Sequence, residues 1–412
     1  MKRILILLVT ALTACSAKAP MYLEVVRSEM ARNPEASYID GLGGKLKWNY
    51  TTGLELKAFL DVYYDMAAAG AEVASKGIGP YELPFEVTSA QAEAILNYVD
   101  AWYDAIIAED GTIGVNYKKS NYSTDHICPG RTLFQLYDLT GNEKYRKAMD
   151  VLYTQIKEQP RTPEGGFWHK QIYPDQMWLD GLYMAQPFYA EYTARYVPND
   201  EQQANYEDIV LQFKLAYDHC YDSATGLLRH AWDSSHKMFW CDPATGQSSH
   251  AWGRACGWYA MALVEVIPFI PAGELKDQLK GMLNTLCSNI LEYTSPCRGM
   301  WYQVLDRPGE KGNYLEATAS AMFTYVLLKG TREGWIDCID RNGAQKEYRS
   351  LLRTFVRKSK GLVNLNKCCE VAGLGGKENR SGTYEYYINE KIRSNDPKGI
   401  GPLIWASLEY GK

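Results

Sequence analysis

Apolar residues recur at helical spacing along almost the whole chain, and this periodicity is the strongest constraint on its fold. Between Thr132 and Ile156 an apolar stripe that includes Leu133 and Leu136 is interrupted at 140–142 and resumes at Tyr145. Such spacing predicts two amphipathic helices joined by a tight turn. Comparable stretches lie at 22–32, 47–68, 89–108, 175–196, 202–220, 250–269, 274–292, 314–329, 345–358 and 400–411. The pattern therefore predicts about a dozen helices.

Strand-like alternation is scarce, with short candidates at Met300–Val304 and Thr112–Tyr117. Successive helical hairpins build either a solenoid or a closed ring, and the absence of a strict repeat weakens the solenoid. The linkers 160–175, 228–252 and 297–313 are long and rich in Trp, Tyr, His and Gly. Long irregular linkers in a compact domain usually carry function. A closed all-α toroid would gather these linkers at one end, around a central cleft.

Composition narrows the class of protein further. The chain has 412 residues, 46% of them hydrophobic, which is enough for a large core. A net charge of −5 argues against nucleic acid or an anionic membrane surface as a partner. The 31 Tyr and 11 Trp, against 10 Phe, exceed what core packing needs. Tyr and Trp combine a flat apolar face with a polar edge, so they suit stacking on sugar rings.

The first residues resemble a targeting signal. A basic start precedes the apolar run Ile4–Ala14, which is too short to span a bilayer. Leu12–Cys15 resembles a bacterial lipobox, in which Cys15 would become the lipidated first residue. The competing cleavage site at Ala17–Ala19 is followed by Pro20, which should block cleavage.

We accordingly divide the chain into a lipoprotein signal peptide (1–14), a short tether (15–21) and one catalytic domain (22–412), since no linker-like composition interrupts the last part. The expected location is a bacterial cell envelope, with the protein facing the periplasm or the cell surface. Contact with the membrane would run only through the lipid.

No metal or cofactor is indicated. The cysteines after Cys15 contain no C-x-x-C pair, and the adjacent Cys368 and Cys369 are poorly placed to share a metal ion. We interpret them as buried small hydrophobic residues. They are Cys128, Cys220, Cys241, Cys256, Cys287, Cys297, Cys338, Cys368 and Cys369. Motifs of nucleotide hydrolysis, serine esterases and zinc proteases are missing from the sequence.

Asp180 is the strongest catalytic candidate. It lies in the aromatic-rich run Gln176–Met184, within a helix predicted to begin near Pro174 with Asp175 as its cap. A carboxylate among apolar side chains is costly to desolvate unless it has partners or a chemical role. Because Asp175 would already serve the helix dipole, Asp180 is better explained by catalysis.

Other polar residues in aromatic contexts have two readings each. Asp125 precedes a helix and could be a cap or a site residue. His169 and His230 lie in loops that also carry Trp, where a surface role and a sugar-binding role are equally compatible. Arg254, between Trp252 and Trp258, fits an anion clamp or a cation–π stack that holds two helices.

Taken in order, several runs resemble the unsaturated rhamnogalacturonyl hydrolases, glycoside hydrolase family 105, over nearly the whole mature chain. These runs are Trp48–Gly53, Asp125–Arg131, Phe167–Lys170, Gln176–Met184, His230–Asp233, Trp252–Trp258, Met300–Asp306, Tyr314–Glu316, Ser320–Phe323, Tyr384–Tyr387 and Gly399–Pro402. The resemblance implies an (α/α)6 barrel. It also implies a substrate with a Δ4,5-unsaturated uronic acid at its non-reducing end, left by a polysaccharide lyase and removed by hydration of the vinyl ether.

The same resemblance assigns roles to residues. Asp180 aligns with the general acid/base, and Asp125 with a second acidic residue. Tyr50 aligns with an aromatic contact at the cleft. Positions that align with substrate contacts are His169, His230, Trp252, Arg254 and Trp258. A donor must start protonated, so we expect the apolar wall and Asp125 to raise the pKa of Asp180. The chain departs from the family pattern at His126 and Cys256.

Two other readings remain open at this point. One is a conventional inverting glycosidase on the same toroid, with Asp180 and Asp125 as acid and base. The other is a non-catalytic glycan-binding lipoprotein. An epimerase on the same barrel is disfavoured, because it would need more histidines in the cleft than the sequence can place there. The favoured substrate is unsaturated galacturonyl-rhamnose from rhamnogalacturonan, with galacturonic, glucuronic and galactosyl leaving groups also open. The sequence leaves the oligomeric state unspecified.

Overall fold

The computed structural model describes residues 19–75 and 89–412. The predicted signal peptide (1–14), Cys15 and most of the tether lie outside the described residues. The described helices are α1 (Met21–Arg32), α2 (Tyr50–Ser75), α3 (Ser89–Asp104), α4 (Arg131–Thr140), α5 (Glu143–Lys157), α6 (Leu179–Tyr196), α7 (Asn199–Cys220), α8 (Gly253–Val266), α9 (Glu274–Leu291), α10 (Ala317–Arg332), α11 (Arg341–Phe355), α12 (Tyr384–Asn389) and α13 (Pro397–Gly411).

Six of these helices form an inner ring in the order α2, α4, α6, α8, α10 and α13. Neighbours in the ring pack against one another, and α13 packs against α2, which closes it. Each inner helix is backed by an outer partner: α3, α5, α7, α9, α11 and, behind α13, α1. The predicted (α/α)6 barrel is therefore confirmed, and the solenoid is excluded.

Inner and outer helices differ because of what surrounds them. In the inner helix α8 every residue except Glu265 is buried. The outer helix α5 buries mainly one face, as an amphipathic helix at a surface does. Inner helices approach closely through glycine: a Cβ on Gly53 would lie 2.7 Å from the backbone of Pro129, and one on Gly257 would lie 2.7 Å from the sulfur of Met322.

Short antiparallel strand pairs connect the loops. They are β1 (Gln176–Trp178) with β4 (Ala231–Asp233), β2 (Tyr221–Asp222) with β3 (Leu227–Leu228), β5 (Val356–Ser359) with β6 (Leu362–Leu365), and β7 (Cys368–Cys369) with β8 (Ile392–Arg393). In the first pair Trp178 lies opposite Ala231, and the Leu179 amide donates to the His230 carbonyl at 3.1 Å. This pair therefore holds the start of α6 against the loop that carries His230.

The hairpin predicted over 132–156 is confirmed as α4 and α5, joined through Gly141 at φ 65°. The two strand candidates were wrong. Met300–Val304 and Thr112–Tyr117 form only isolated bridges, such as Trp252 with Val304.

The start predicted for the helix over 175–196 was also wrong. Pairing of β1 with β4 keeps 176–178 extended, so α6 begins at Leu179 with Trp178 as its N-cap. Asp175 has φ 61° and does not cap the helix. Asp180 consequently lies in the first turn of α6, where the helix dipole itself favours a carboxylate.

The cysteines after Cys15 all lie within the described ranges and are free thiols. Six of them are buried, which confirms the interpretation as small hydrophobic residues for those six, whereas Cys297 is exposed. In residues 19–75 and 89–412 no group of three or more His, Cys, Asp or Glu is arranged to hold a metal ion. Within the same ranges, no helix has the length and apolar character needed to cross a bilayer.

Candidate active site

The predicted site residues gather where the inner helices begin. Tyr50 is the first residue of α2, Asp125 lies in a 3-10 turn shortly before α4, and Asp180 and Arg254 are the second residues of α6 and α8. Asp125, Arg254 and Asp180 each lie close enough to Tyr50 to affect its pKa, which burial raises. Because helix N-termini carry unpaired N–H groups and partial positive charge, this end of the ring favours an anionic ligand.

Asp180 faces His230. The two side chains approach to 3.2 Å between Asp180 Oδ2 and His230 Nε2. His230 is fully buried and the Asp180 side chain is 15% exposed. The two atoms are not aligned as a hydrogen bond, so each is buried without a hydrogen-bonded partner among the described residues. Their electrostatic interaction depends less on direction and still acts at this distance.

The pKa of Asp180 is lowered, whereas the sequence predicted that it would be raised. Burial does raise the pKa of the carboxyl, but His230 outweighs burial, with help from His169 and Arg254, and the pKa lies below its usual value. The expectation from the sequence rested on the apolar wall and Asp125, and left out His230, His169 and Arg254, which the fold brings close. Asp180 is therefore a carboxylate at neutral pH in the free protein.

Asp125 lies in a second charged cluster. Lys170 Nζ is 2.5 Å from Asp125 Oδ2, and His169 Nε2 is 3.7 Å from Oδ1. Burial raises the pKa of Asp125, but Lys170 and His169 hold it below its usual value. Burial, reinforced by Lys170, lowers the pKa of His169 to about 4, so its imidazole is neutral at pH 7. His169 Nδ1 lies 3.1 Å from the hydroxyl of Thr124.

Gly181 brings the Asp180 and Asp125 clusters together. A Cβ on this glycine would lie 3.2 Å from His169 Nδ1, so the missing side chain lets the start of α6 lie against His169. On its other side the ring of His169 stacks on Trp178 at 4.6 Å, and Trp178 stacks on Tyr173 at 4.9 Å. The histidine is therefore held between a helix and an aromatic stack.

Arg254 is buried in the wall of the ring. Its guanidinium lies 4.5 Å from the ring of Trp252, and Nη1 donates to the carbonyl of Cys369. Its Nε is buried without a hydrogen-bonded partner, and no ion pair to Arg254 forms within the described residues. The cation–π reading is thus observed, and the anion-clamp role stays a prediction.

A cavity of about 630 Å³ lies beside Tyr50 and Asp125. Its other lining residues include Lys47, Trp48, Asn49, Asn116, Asn121, His126, Lys170, Ile172, Glu370 and Val371. Ile172, 73% exposed, and Val371, 51% exposed, place aliphatic groups at its edge. Trp258 is fully buried, with its ring 6.3 Å from that of Tyr50 and 4.7 Å from that of Tyr183. Trp258 therefore backs Tyr50, and its role as a substrate contact stays a prediction.

Two residues of the site were missed by the sequence reasoning. Lys170, which pairs with Asp125, adjoins His169 in the chain, and that position could have drawn attention to it. Tyr387, whose hydroxyl lies 2.7 Å from His230 Nδ1, belongs to the run Tyr384–Tyr387 that carries the family resemblance, but it is separated from His230 by 157 residues and was assigned no role. Of the two departures from the family pattern, His126 lines the cavity, whereas Cys256 is buried with its thiol 3.1 Å from the Leu228 carbonyl.

Comparison with known proteins identifies the class. The model of Glycosyl Hydrolase Family 88 matches residues 80–412, so the chain belongs to this family of glycoside hydrolases. A solved glycoside hydrolase from family 105 of Clostridium acetobutylicum ATCC 824 is 39% identical, with a TM-score of 0.84 over 95% of this chain and 99% of that one. That likeness places the chain with family 105, as its motifs predicted, among glycoside hydrolases of the unsaturated uronyl hydrolase type.

Two further relatives are similar at greater distance. The unsaturated rhamnogalacturonyl hydrolase YesR of Bacillus subtilis is 28% identical over 267 residues, which is 61% of this chain and 69% of YesR. The unsaturated glucuronyl hydrolase of Bacillus sp. GL1 has a TM-score of 0.58 at 11% identity over 94% of both chains. The second likeness shows the shared fold alone.

Proposed function

We propose that this enzyme removes a Δ4,5-unsaturated uronic acid from the non-reducing end of lyase-generated oligosaccharides, with Asp180 as the general acid/base. The observation that carries the proposal is the contact between Asp180 and the buried His230 at the helix N-termini, close to Asp125. One carboxyl group held against a buried imidazole suits a reaction in which a single residue first gives and then takes a proton.

The chemistry proceeds by hydration of the vinyl ether. Asp180 gives its proton to C4 of the double bond, and positive charge develops at C5. A water molecule adds its oxygen to C5 and returns one proton to the Asp180 carboxylate. The hemiketal at C5 then opens by breaking its bond to the ring oxygen, which leaves a ketone at C5 and a hemiacetal at C1. Collapse of this hemiacetal breaks the C1–O bond, so the rest of the oligosaccharide leaves as an alcohol and an open-chain keto sugar acid remains. Water is the attacking nucleophile, so no nucleophilic side chain and no second catalytic carboxylate is needed, in contrast to ordinary glycoside hydrolysis.

Because the pKa of Asp180 is low in the free enzyme, substrate binding must help to protonate this carboxyl before it can act as an acid. A uronate bound beside Asp180 brings a second negative charge and displaces water, and both effects raise a carboxyl pKa. We therefore expect Asp180 to take up its proton as the anionic sugar binds. The helix N-termini, together with Lys170 in the cavity wall, compensate the charge of the sugar.

A panel of unsaturated disaccharides, made with polysaccharide lyases, tests the function. Loss of the ultraviolet absorbance of the double bond is the expected signal with wild type, and Asp180→Asn should lower the rate at least 100-fold. If no member of the panel loses its double bond, the hydration proposal is wrong. If the mutant keeps the full rate, the assignment of Asp180 is wrong.

The same assay with a saturated disaccharide separates the alternatives. A conventional inverting glycosidase would cleave the saturated substrate, with Asp180 and Asp125 as its two carboxyls. Asp125 is ion-paired with Lys170, which makes it a weak base, so we favour hydration. A glycan-binding protein without catalysis would turn over neither substrate.

Two finer points of the proposal rest on sequence and similarity. We infer a rhamnose leaving group, from rhamnogalacturonan, because YesR carries that activity in its name. The panel of disaccharides decides among leaving sugars.

We also infer anchoring in the cell envelope through lipidated Cys15. Cys15→Ala should then move the protein from the membrane fraction to the soluble fraction, and an unchanged distribution would contradict the anchor.

A further inference from the structure

His230 has a second partner on the side of its ring away from Asp180. The hydroxyl of Tyr387 lies 2.7 Å from His230 Nδ1, and both side chains are buried. Tyr387 belongs to the short helix α12, and its ring stacks on Trp252 at 5.9 Å with an interplanar angle of 17°. Its backbone carbonyl accepts a hydrogen bond from Gln303 Nε2 at 3.2 Å. The hydroxyl is therefore held in place from two directions.

Counting donors and acceptors assigns the proton between the two groups. The phenol of Tyr387 has one proton to donate, and within the described ranges its hydrogen-bonding partner is His230 Nδ1. If Nδ1 carried the ring proton, it would donate to the hydroxyl, and the proton of the hydroxyl would be buried without an acceptor. An unpaired buried donor is disfavoured. The satisfied arrangement has Tyr387 donating to Nδ1.

We propose that Tyr387 is a positioning residue that holds His230 in the tautomer with its proton on Nε2, the ring nitrogen that lies 3.2 Å from Asp180 Oδ2. The inference deepens the proposed function and rests on it for the role of Asp180. Its consequence concerns the two oxygens of the carboxyl. With Oδ2 buried and facing an N–H donor, the proton that Asp180 gives to the substrate sits on Oδ1.

This arrangement serves both halves of the reaction. Before proton transfer, the Nε2–H keeps Oδ2 from competing for the proton, so the acid presents it from one defined oxygen. After transfer, the same N–H stabilises the carboxylate that activates water. Without the phenol, the imidazole could turn its unprotonated nitrogen toward Asp180 and take the proton meant for C4.

Nuclear magnetic resonance of the ring nitrogens tests the tautomer directly. The full chain is labelled with ¹⁵N-histidine, and the His230 signals are assigned by their loss in His230→Gln. The expected wild-type spectrum shows an unprotonated, hydrogen-bonded Nδ1 and a protonated Nε2. In Tyr387→Phe the Nδ1 signal should move and the ring should show a mixture of tautomers. A protonated Nδ1 in wild type, or an unchanged His230 spectrum in Tyr387→Phe, overturns the proposal.

Kinetics supply a second readout, with a matched control from the neighbouring tyrosine. Tyr386 makes its hydroxyl contact with the Gly373 amide at 3.0 Å, outside the site. Tyr387→Phe should lower kcat about 10-fold with KM within about twofold, while Tyr386→Phe keeps both. An equal loss in the two variants, or none in Tyr387→Phe, contradicts the positioning role. If wild type turns over none of the unsaturated substrates, the proposed function is wrong. The tautomer of His230 can still be measured in that case, so the two proposals are tested separately.

Discussion

At the scale of single residues, Asp180 is governed by two opposed effects. Burial in the ring raises the pKa of its carboxyl, and His230, His169 and Arg254 together lower it by more. The balance depends on a contact of 3.2 Å, so removing the imidazole should let burial prevail. The pKa of Asp180 is therefore set by its polar neighbours, His230 chief among them, and not by the apolar wall alone.

The variant His230→Gln tests that balance. We expect the pKa of Asp180 to rise, so the fall in activity at high pH should move up by about one pH unit. The maximal rate should drop, because the proton is no longer presented from one oxygen. The measurement is the pH profile of kcat/KM. His219→Gln is the matched control, since His219 pairs with Glu164 at the protein surface. An unmoved profile in His230→Gln would show that His230 does not set the pKa.

Lys170 gives a second prediction at this scale. Lys170→Met removes the cation 2.5 Å from Asp125, and burial should then raise the pKa of Asp125. It also removes a positive charge from the wall of the cavity in which we propose that the anionic sugar binds. We expect kcat/KM to fall about 10- to 100-fold, mainly through KM. Lys157→Met is the control, because Lys157 contacts Asn205 between two outer helices. Equal kinetics for the two variants would remove Lys170 from substrate recognition.

Site residues could be predicted from the sequence where they stand in a recognisable local run of residues. Asp180, Asp125 and the two loop histidines stand in recognisable aromatic runs and could be singled out. The sign of the pKa shift could not, because His230 lies 50 positions along the chain from Asp180 and meets it only through the pairing of β1 with β4. The phenol of Tyr387 is more distant still in sequence.

At the scale of helices and loops, close approach of the inner helices places Asp125. Gly53 in α2 lies against the backbone of Pro129, four residues after Asp125. A side chain there meets main-chain atoms, which cannot move aside as the end of a flexible side chain can. The packing of α2 therefore fixes the turn that carries the second acidic residue of the site.

Gly53→Ala should accordingly destabilise the fold by about 1–3 kcal/mol and lower activity by displacing Asp125. Gly281→Ala is its matched control, since a Cβ on Gly281, in the outer helix α9, meets nothing within 4 Å. That substitution should be neutral or stabilise by about 0.4–1 kcal/mol. Denaturant unfolding followed by circular dichroism measures both. Comparable stability of the two variants would contradict the tight α2 contact.

Helices were predicted more reliably than their ends. Long apolar periodicity revealed the helices themselves, whereas β1 and its partner are only three residues each and leave no visible alternation. The start of α6 was misplaced because those three residues pair with a strand that lies far along the chain. Short loop strands of this kind depend on tertiary contacts, which local periodicity does not report.

At the scale of the whole molecule, closure of the ring depends on the contact between α13 and α2, which joins the two ends of the barrel. Periodicity alone left a solenoid open; only the family resemblance indicated a closed toroid. Near this closure α1 packs behind α13, and Arg32 of α1 contacts Glu29 and the carbonyl of Val363 in β6. Buried charged groups near this α13–α2 closure should therefore affect the stability of the entire ring.

Glu29 makes that dependence measurable through pH. Burial raises its pKa to about 7, against the opposing effect of Arg32. A folded-state pKa above the unfolded value stabilises the fold fully below about pH 4.5, and this contribution is lost as pH rises through 7. We expect wild type to lose about 1–3 kcal/mol of unfolding free energy from this group between pH 5 and pH 8. Glu29→Gln should reduce that loss.

The slope with pH is the diagnostic quantity. Glu29→Gln also removes the ion pair with Arg32, but that pair forms only when Glu29 is ionised, so its effect is already contained in the pKa of about 7 and disappears together with the slope. Glu93→Gln, at an exposed position of α3, should keep the wild-type slope. If Glu29→Gln also keeps the wild-type slope, the pH dependence of the unfolding free energy belongs to another buried carboxyl near the closure of the ring. Glu55, whose pKa burial also raises and which lies near Glu29, would be the next to replace.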